Sequence, residues 1–163
     1  MRVVLLLGSE SDFEVVKGAL ETLKEFEVSY ALEVTSAHRS PERTVELVSK
    51  FEEEGAEVFI AVAGKSAHLA GVVAAHTLRP VIGVPVGSAP LNGMDALFST
   101  VNMPKGVPVA CMGLGKSGAV NAALLAVQML GLKDSTLKSR LEEYKKDKAQ
   151  QVEQSSRRVK EKL

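Results

Sequence analysis

Three short stretches of this chain gather side chains that move protons or hold anions. In Thr35-Ser36-Ala37-His38-Arg39-Ser40-Pro41 an imidazole and a guanidinium stand side by side among hydroxyls, just before a helix-start signal. The guanidinium of Arg39 presents a planar fork suited to phosphate. His38 supplies an imidazole, the side chain most often used for general acid/base work. Gly8-Ser9-Glu10-Ser11-Asp12 offers a glycine for close backbone approach, two hydroxyls that can donate to phosphate oxygens, and an acid that can accept from ribose. The same run also fits an ordinary helix cap. It is neither a GxGxxG nor a Walker motif, so it does not support dinucleotide or nucleoside-triphosphate binding. In Ala63-Gly64-Lys65-Ser66-Ala67-His68-Leu69-Ala70-Gly71 a second histidine lies at an apolar, glycine-flanked helix start. By type alone His68 fits a satisfied core histidine as well as a pocket-lining one. His76, beside Thr77-Leu78-Arg79, is expected to face solvent and is given no role.

Such residues need a scaffold that brings them together. Residues 2–7 form an unbroken apolar run, as in a strand buried on both faces. Val15, Val16, Ala19, Leu20 and Leu23 follow at helical spacing, with Ser11 or Asp12 expected as N-cap. Val28–Val34 reads as a strand, and Ser40-Pro41-Glu42 opens a second helix with proline at its first position. The alternation continues with strand Val58–Val62, a buried helix over Ala67–Thr77 and strand Pro80–Pro85. After these come helix Asp95–Val101, strand Val107–Met112 and an Ala/Leu helix over Ala119–Leu130. Repeated βα units predict an α/β fold, here a three-layer, flavodoxin-like, doubly wound parallel sheet of about five strands. In such sheets ligands bind outside the carboxyl ends of the strands, where strand order reverses. All three reactive stretches follow strands. The long Val86–Asp95 segment after the fourth strand is expected to form a cover or wall of the same pocket.

Residues 1–132 are read as one α/β catalytic domain, and residues 133–163 as a helical extension of it. That extension is dense in Lys, Glu and Gln, with a narrow apolar stripe at Leu137, Leu141, Tyr144, Val152 and Val159. The narrowness favours docking on a neighbouring subunit over docking on its own domain. No internal repeat, linker or low-complexity tract interrupts the chain.

Composition narrows the partners. Twenty basic residues balance twenty acidic ones over 163 residues, which argues against the basic footprint of a nucleic-acid binder. With no tryptophan and 4% aromatic residues there is no platform for stacking bases. A small-molecule ligand is expected instead. The single cysteine, Cys111, cannot form an internal disulfide, and no Cys/His spacing matches a metal site. No signal-peptide core or membrane span is read, so the cytoplasm is the expected location. A receiver module would need an aspartate where Ala61-Val62-Ala63-Gly64 ends the third strand, and a flavin site would need aromatic walls that are absent there.

In this order and spacing the chain resembles the carboxyaminoimidazole ribonucleotide mutases and aminoimidazole ribonucleotide carboxylases of purine biosynthesis. The likeness runs from about Val3 to Leu130. It rests on Gly8–Asp12, Ser36–Pro41, Ala67-His68-Leu69, Gly83–Val86, Gly93–Leu97, Asn102–Pro108 and Asn121-Ala122-Ala123. The resemblance implies carboxyl transfer to C4 of an aminoimidazole ribonucleotide, with CO₂ enclosed in the pocket and no metal or organic cofactor. It implies a homo-octamer whose C-terminal helices reach across subunits. It implies His38 as the acid/base, His68 as a second pocket histidine orienting the carboxylate or CO₂, and Ser9, Asp12 and Arg39 as ribonucleotide-binding positions. Ser11, Ser36, Gly64, Lys65, Ser66 and Leu69 complete the expected substrate site.

One stretch departs from the pattern. The mutase branch reads Ala-Gly-Gly-Ala-Ala-His-Leu-Pro-Gly where this chain has Ala63-Gly64-Lys65-Ser66-Ala67-His68-Leu69-Ala70-Gly71. A basic residue followed by serine resembles the direct carboxylase branch, which takes free CO₂. Arg39, His68 and the Pro104-to-Asn121 region side with the mutase. Lys65 is open to three readings: a cation near the carboxylate, a cation near the phosphate, or a solvent-facing side chain.

Overall fold

A computed structural model describes residues 1–163. Its strands are β1 (Val3–Leu7), β2 (Tyr30–Val34), β3 (Val58–Gly64), β4 (Val81–Val86) and β5 (Ala110–Cys111). They form one sheet in the order β2-β1-β3-β4-β5, and every neighbouring pair runs parallel. This is the doubly wound order expected from the βα alternation. The chain leaves β1 toward β2 on one side and enters β3 on the other, so the switch point lies between β1 and β3.

Helices α1 (Phe13–Glu25), α2 (Pro41–Glu53), α3 (Leu69–Ala75), α4 (Met94–Val101) and α5 (Gly115–Gly131) connect and flank these strands. Side chains alternate across a strand. Val4 and Leu6 of β1 and Phe59 and Ala61 of β3 pack in one core cluster with Leu47, Val48 and Phe51 of α2 and Leu69, Ala70 and Val73 of α3. Thr100 of α4 joins that side: a Cβ built on Gly83 would meet both Thr100 and Ala70. Val3, Leu5 and Leu7 point the other way and are fully buried. That layer holds α1 and α5, which touch where Gly18 meets the Val120 methyl. The right-handed crossover rule demands this division of helices.

Several boundaries differ from the sequence reading. Asp12 holds the N-cap position of α1 as expected, but makes no capping bond with its side chain. A 3₁₀ turn over Glu10–Asp12 intervenes, and Ser9 caps that turn by accepting from the Ser11 amide. Asp12 is already helical at φ −78° and ψ −9°, not in the extended conformation a capping side chain needs. Strand β2 starts at Tyr30 rather than Val28, because the Val28 amide closes the end of α1 on the Leu23 carbonyl. Helix α3 covers only Leu69–Ala75, since residues 65–68 are spent in tight turns joining the amides of Ala67 and His68 to the carbonyls of Lys65 and Ser66. The fifth strand shrinks from the expected Val107–Met112 to two residues; Pro108 has no amide to give a ladder.

Close packing divides the chain into two units, Met1–Ala126 and Val127–Leu163. The second holds the end of α5 and α6 (Ser135–Lys160), whose N-terminus is capped by Asp134 accepting from the Leu137 amide at 3.2 Å. Along α6 the expected stripe grades from buried Leu137 to Val152 and Val159, which are 70% and 61% exposed. No helix is long and apolar enough to cross a membrane.

Candidate active site

At the carboxyl ends of β1 to β4 lies a cleft of about 910 Å³. Each strand delivers one wall. Gly8, Ser9, Ser11 and Asp12 follow β1; Ser36, His38 and Arg39 follow β2. Gly64, Lys65, Ser66, His68 and Leu69 end or follow β3, and Val86, Gly87 and Ser88 end or follow β4. The cleft therefore collects every residue expected in the substrate site. Val15 and Ala37 also line it and were not anticipated, since an apolar residue on a wall has the same signature as one in the core. His76 stands elsewhere, exposed, with Nδ1 2.8 Å from the Val72 carbonyl.

The β2–α2 loop is tied down by its own hydroxyls. Thr44 Oγ1 donates to the Ser40 carbonyl and is 2.8 Å from buried Thr35 Oγ1. Ser40 Oγ accepts from the Ser36 amide at 3.0 Å, and Ser36 Oγ accepts from the Arg39 amide at 3.2 Å. Ser40 thus turns its side chain inward and makes no helix-capping bond. These bonds fix the backbone that carries His38 and Arg39. Ser36 Oγ, used here as an acceptor, keeps its own proton for a ligand.

His38 Nε2 lies 2.8 Å from His68 Nδ1, and the rings meet edge to face with centroids 4.9 Å apart. A bond of that length needs a hydrogen on one nitrogen and a lone pair on the other. The contact joins the β2 and β3 loops, and both rings are solvent-accessible. His68 is thereby a pocket histidine rather than a core one.

On the β1 wall, Ser11 Oγ donates to Ser9 Oγ at 3.0 Å, leaving the Ser9 proton free. Asp12 is 6% exposed; burial pushes its carboxyl above the ordinary value, partly offset by a hydrogen bond from the Ser9 backbone. The fixed cations of the lining are Arg39 and Lys65. Neither makes an ion pair within the chain. The site can therefore offer two positive charges, free hydroxyls and a linked pair of imidazoles. A second hollow of about 620 Å³ lies beside β2, walled by Phe13, Leu32, Val34 and Arg43, and contains no imidazole. No three His, Cys, Asp or Glu side chains anywhere cluster as a metal centre requires.

Comparison with known proteins gives a consistent picture. Residues 2–151 match the family described as AIR carboxylase. The N5-carboxyaminoimidazole ribonucleotide mutase of Pyrococcus horikoshii is 48% identical over 159 residues, spanning 98% of this chain and 89% of that protein. The enzymes of the same name from Bacillus subtilis and Escherichia coli K12 are 49% and 46% identical, over 94% and 93% of this chain and 95% and 89% of their own lengths. Among solved structures, Treponema denticola PurE superposes with a TM-score of 0.87 at 29% identity, covering 96% of each chain. A single-substitution variant of Treponema denticola PurE2 gives 0.88 at 28%, covering 97% of this chain and 98% of that one. This chain belongs to the AIR carboxylase family.

Proposed function

We propose that the protein is an N5-carboxyaminoimidazole ribonucleotide mutase, an isomerase that converts the N-carboxy ribonucleotide to 4-carboxy-5-aminoimidazole ribonucleotide in purine biosynthesis. The observation that supports this reading most directly is the 2.8 Å link between His38 and His68 in a cleft that also presents Arg39, Ser9 and Asp12.

In this mechanism the carbamate N–C bond breaks, CO₂ leaves, and the exocyclic nitrogen takes a proton from His38. The electron-rich C4 then attacks the trapped CO₂, and His38 removes the C4 proton to restore the aromatic ring. One proton moves in net terms from C4 to nitrogen, so a single acid/base completes the cycle. The bond to His68 holds the His38 ring in place while its other nitrogen exchanges the proton. His68 also faces the carboxyl group in transit. Holding CO₂ beside C4 converts a bimolecular encounter into an intramolecular one. Arg39, with the hydroxyls of Ser9 and Ser36, binds phosphate, Ser11 orients Ser9 through its own hydroxyl proton, and Asp12 accepts from ribose hydroxyls. Gly64, Ser66 and Leu69 shape the β3 wall. The chemistry needs no metal or organic cofactor.

Assembly belongs to the same reading: a cytoplasmic homo-octamer, with residues 133–163 reaching a neighbouring subunit. In support, Leu91, Met94, Phe98, Val101 and Leu114 are between 37% and 60% exposed around α4, an apolar face that a second copy would cover. Truncation after Lys133 then lowers the oligomeric state in sedimentation; an unchanged assembly would refute the reaching helix.

The decisive experiment offers the purified enzyme the N-carboxy ribonucleotide in one reaction and 5-aminoimidazole ribonucleotide with bicarbonate in another. Efficient turnover of the first alone supports the mutase. Lys65-Ser66 favours a rival, direct carboxylation by free CO₂, and preferential turnover in the second reaction would establish that rival instead.

A further inference from the structure

We propose that Lys65 is the specificity-determining contact for the carboxylate of the ribonucleotide, distinguishing carboxylated from uncarboxylated substrate. The proposal rests on the ribonucleotide reading above and goes beyond it by assigning the second of the two cleft cations.

Three observations carry it. First, Lys65 has φ +55°, in the left-handed region that L side chains rarely adopt. Glycine would hold this turn without strain, and Asn or Asp would tolerate it better than lysine does. Strain held at a ligand site is a signature of functional constraint. Second, Lys65 stands at the carboxyl end of β3, three residues before His68, whose ring touches His38 at 2.8 Å. It is thus placed on the same loop as His68, the partner of the proposed acid/base. Third, the lining has two fixed cations on different loops, Arg39 after β2 and Lys65 after β3, and neither is neutralised by a carboxylate of the chain.

A carboxylated ribonucleotide has two anionic ends. The forked guanidinium of Arg39, near the hydroxyls of the β1 and β2 loops, matches phosphate. With Arg39 assigned to the phosphate, the ammonium of Lys65, a point charge on the loop that also bears His68, is the cation left for the carboxylate. That charge exists on both the N-carboxy and the 4-carboxy compound and vanishes while the group is neutral CO₂. Lys65 therefore favours the two carboxylated states over 5-aminoimidazole ribonucleotide with CO₂ apart.

The test measures the affinity of wild type, Lys65→Met and Lys65→Gly for two probes, 4-carboxy-5-aminoimidazole ribonucleotide and 5-aminoimidazole ribonucleotide. Both share the phosphate and differ in the carboxylate. Both variants are expected to bind the carboxylated probe roughly tenfold or more weakly, the scale of one charged hydrogen bond, with the uncarboxylated probe unchanged. Lys65→Gly is also expected to melt no lower than wild type, because it relieves the left-handed backbone. Equal losses on both probes would make Lys65 a phosphate contact and overturn the proposal. Unchanged binding of both would make it a solvent-facing residue and overturn it equally. If wild type binds neither probe, the ribonucleotide reading itself fails, a result distinct from either.

Discussion

The β2–α2 loop and the β4–α4 loop both wall the cleft, and they are held in opposite ways. Residues 35–40 are knitted by side-chain hydroxyls, from Thr44 through Thr35 to Ser40 and Ser36, so His38 and Arg39 ride on a cross-braced backbone. Residues 87–95 have no such bracing. Ser88 Oγ and Asp95 Oδ1 are buried without a partner. The turn depends on positive φ at Asn92 and Gly93, and on a close approach: a Cβ on Gly93 would lie 2.8 Å from the Gly87 Cα. The lesson is a division of labour. The loop bearing the proposed acid/base is fixed by polar bonds, whereas the β4–α4 loop is fixed by backbone shape.

The largest test of this contrast is chemical. His38→Asn should fold normally and lose about 10²- to 10⁴-fold in turnover, the usual share of a general acid/base; steady-state kinetics retaining near-normal kcat would reject the assignment. Arg39→Ala should weaken binding of the phosphorylated substrate by roughly 10- to 100-fold with little change in melting temperature, as expected for a charged hydrogen-bonding group. Equilibrium binding that matches wild type would remove its phosphate role.

The next two substitutions attack the supports. Gly93→Ala should destabilise by about 1–3 kcal/mol in denaturant titration, since its φ of +87° and the Leu114 and Gly87 contacts leave no room for a methyl. Thr44→Val deletes the hydroxyl that Thr35 shares and should cost about 1–2 kcal/mol. It should also lower kcat more than Gly93→Ala does, because it loosens the loop under His38. If the two variants reduce kcat equally, the division of labour is wrong.

The smallest effect lies on the β1 wall. Burial raises the Asp12 carboxyl, so its ionised form opposes folding at neutral pH. The sign follows from proton uptake: the folded state holds this proton more tightly, so the group favours folding below its unfolded value near ~3.9 and loses that contribution as pH rises through the folded value. Asp12→Asn should therefore be slightly more stable than wild type at neutral pH, with the advantage fading in acid. A stability difference independent of pH would contradict this origin.

How much of this can be read from sequence depends on which signals are local. The apolar run of β1 and the helical spacing of α1 and α2 reflect faces that must be buried, and periodicity reports burial well. Helix ends are less legible. The 3₁₀ turn at Glu10–Asp12 and the shortened α3 come from tight local turns, such as the Asp12 amide on the Ser9 carbonyl and the His68 amide on the Ser66 carbonyl, which leave no apolar periodicity to read. The fifth strand is shorter than its residues suggest because Val107 and Val109 have strand-like side chains although Pro108 interrupts them. For the site, residue type and position after a strand are enough to nominate His38, Arg39 and His68. The His38–His68 contact is not legible, since the two rings stand 30 positions apart in the chain. The left-handed turn at Lys65 is equally hidden, because lysine is not the residue that advertises such a backbone.

The switch point between β1 and β3 has one more consequence. Loops from four separate strands meet there, drawn from chain that otherwise diverges into opposite helical layers. A guest seated among them acts as a keystone: it cannot remain bound if any one of the four strands pulls away. Tight binding and resistance to unfolding are then two measures of a single coupling, and occupancy by ligand itself becomes part of what keeps the sheet assembled.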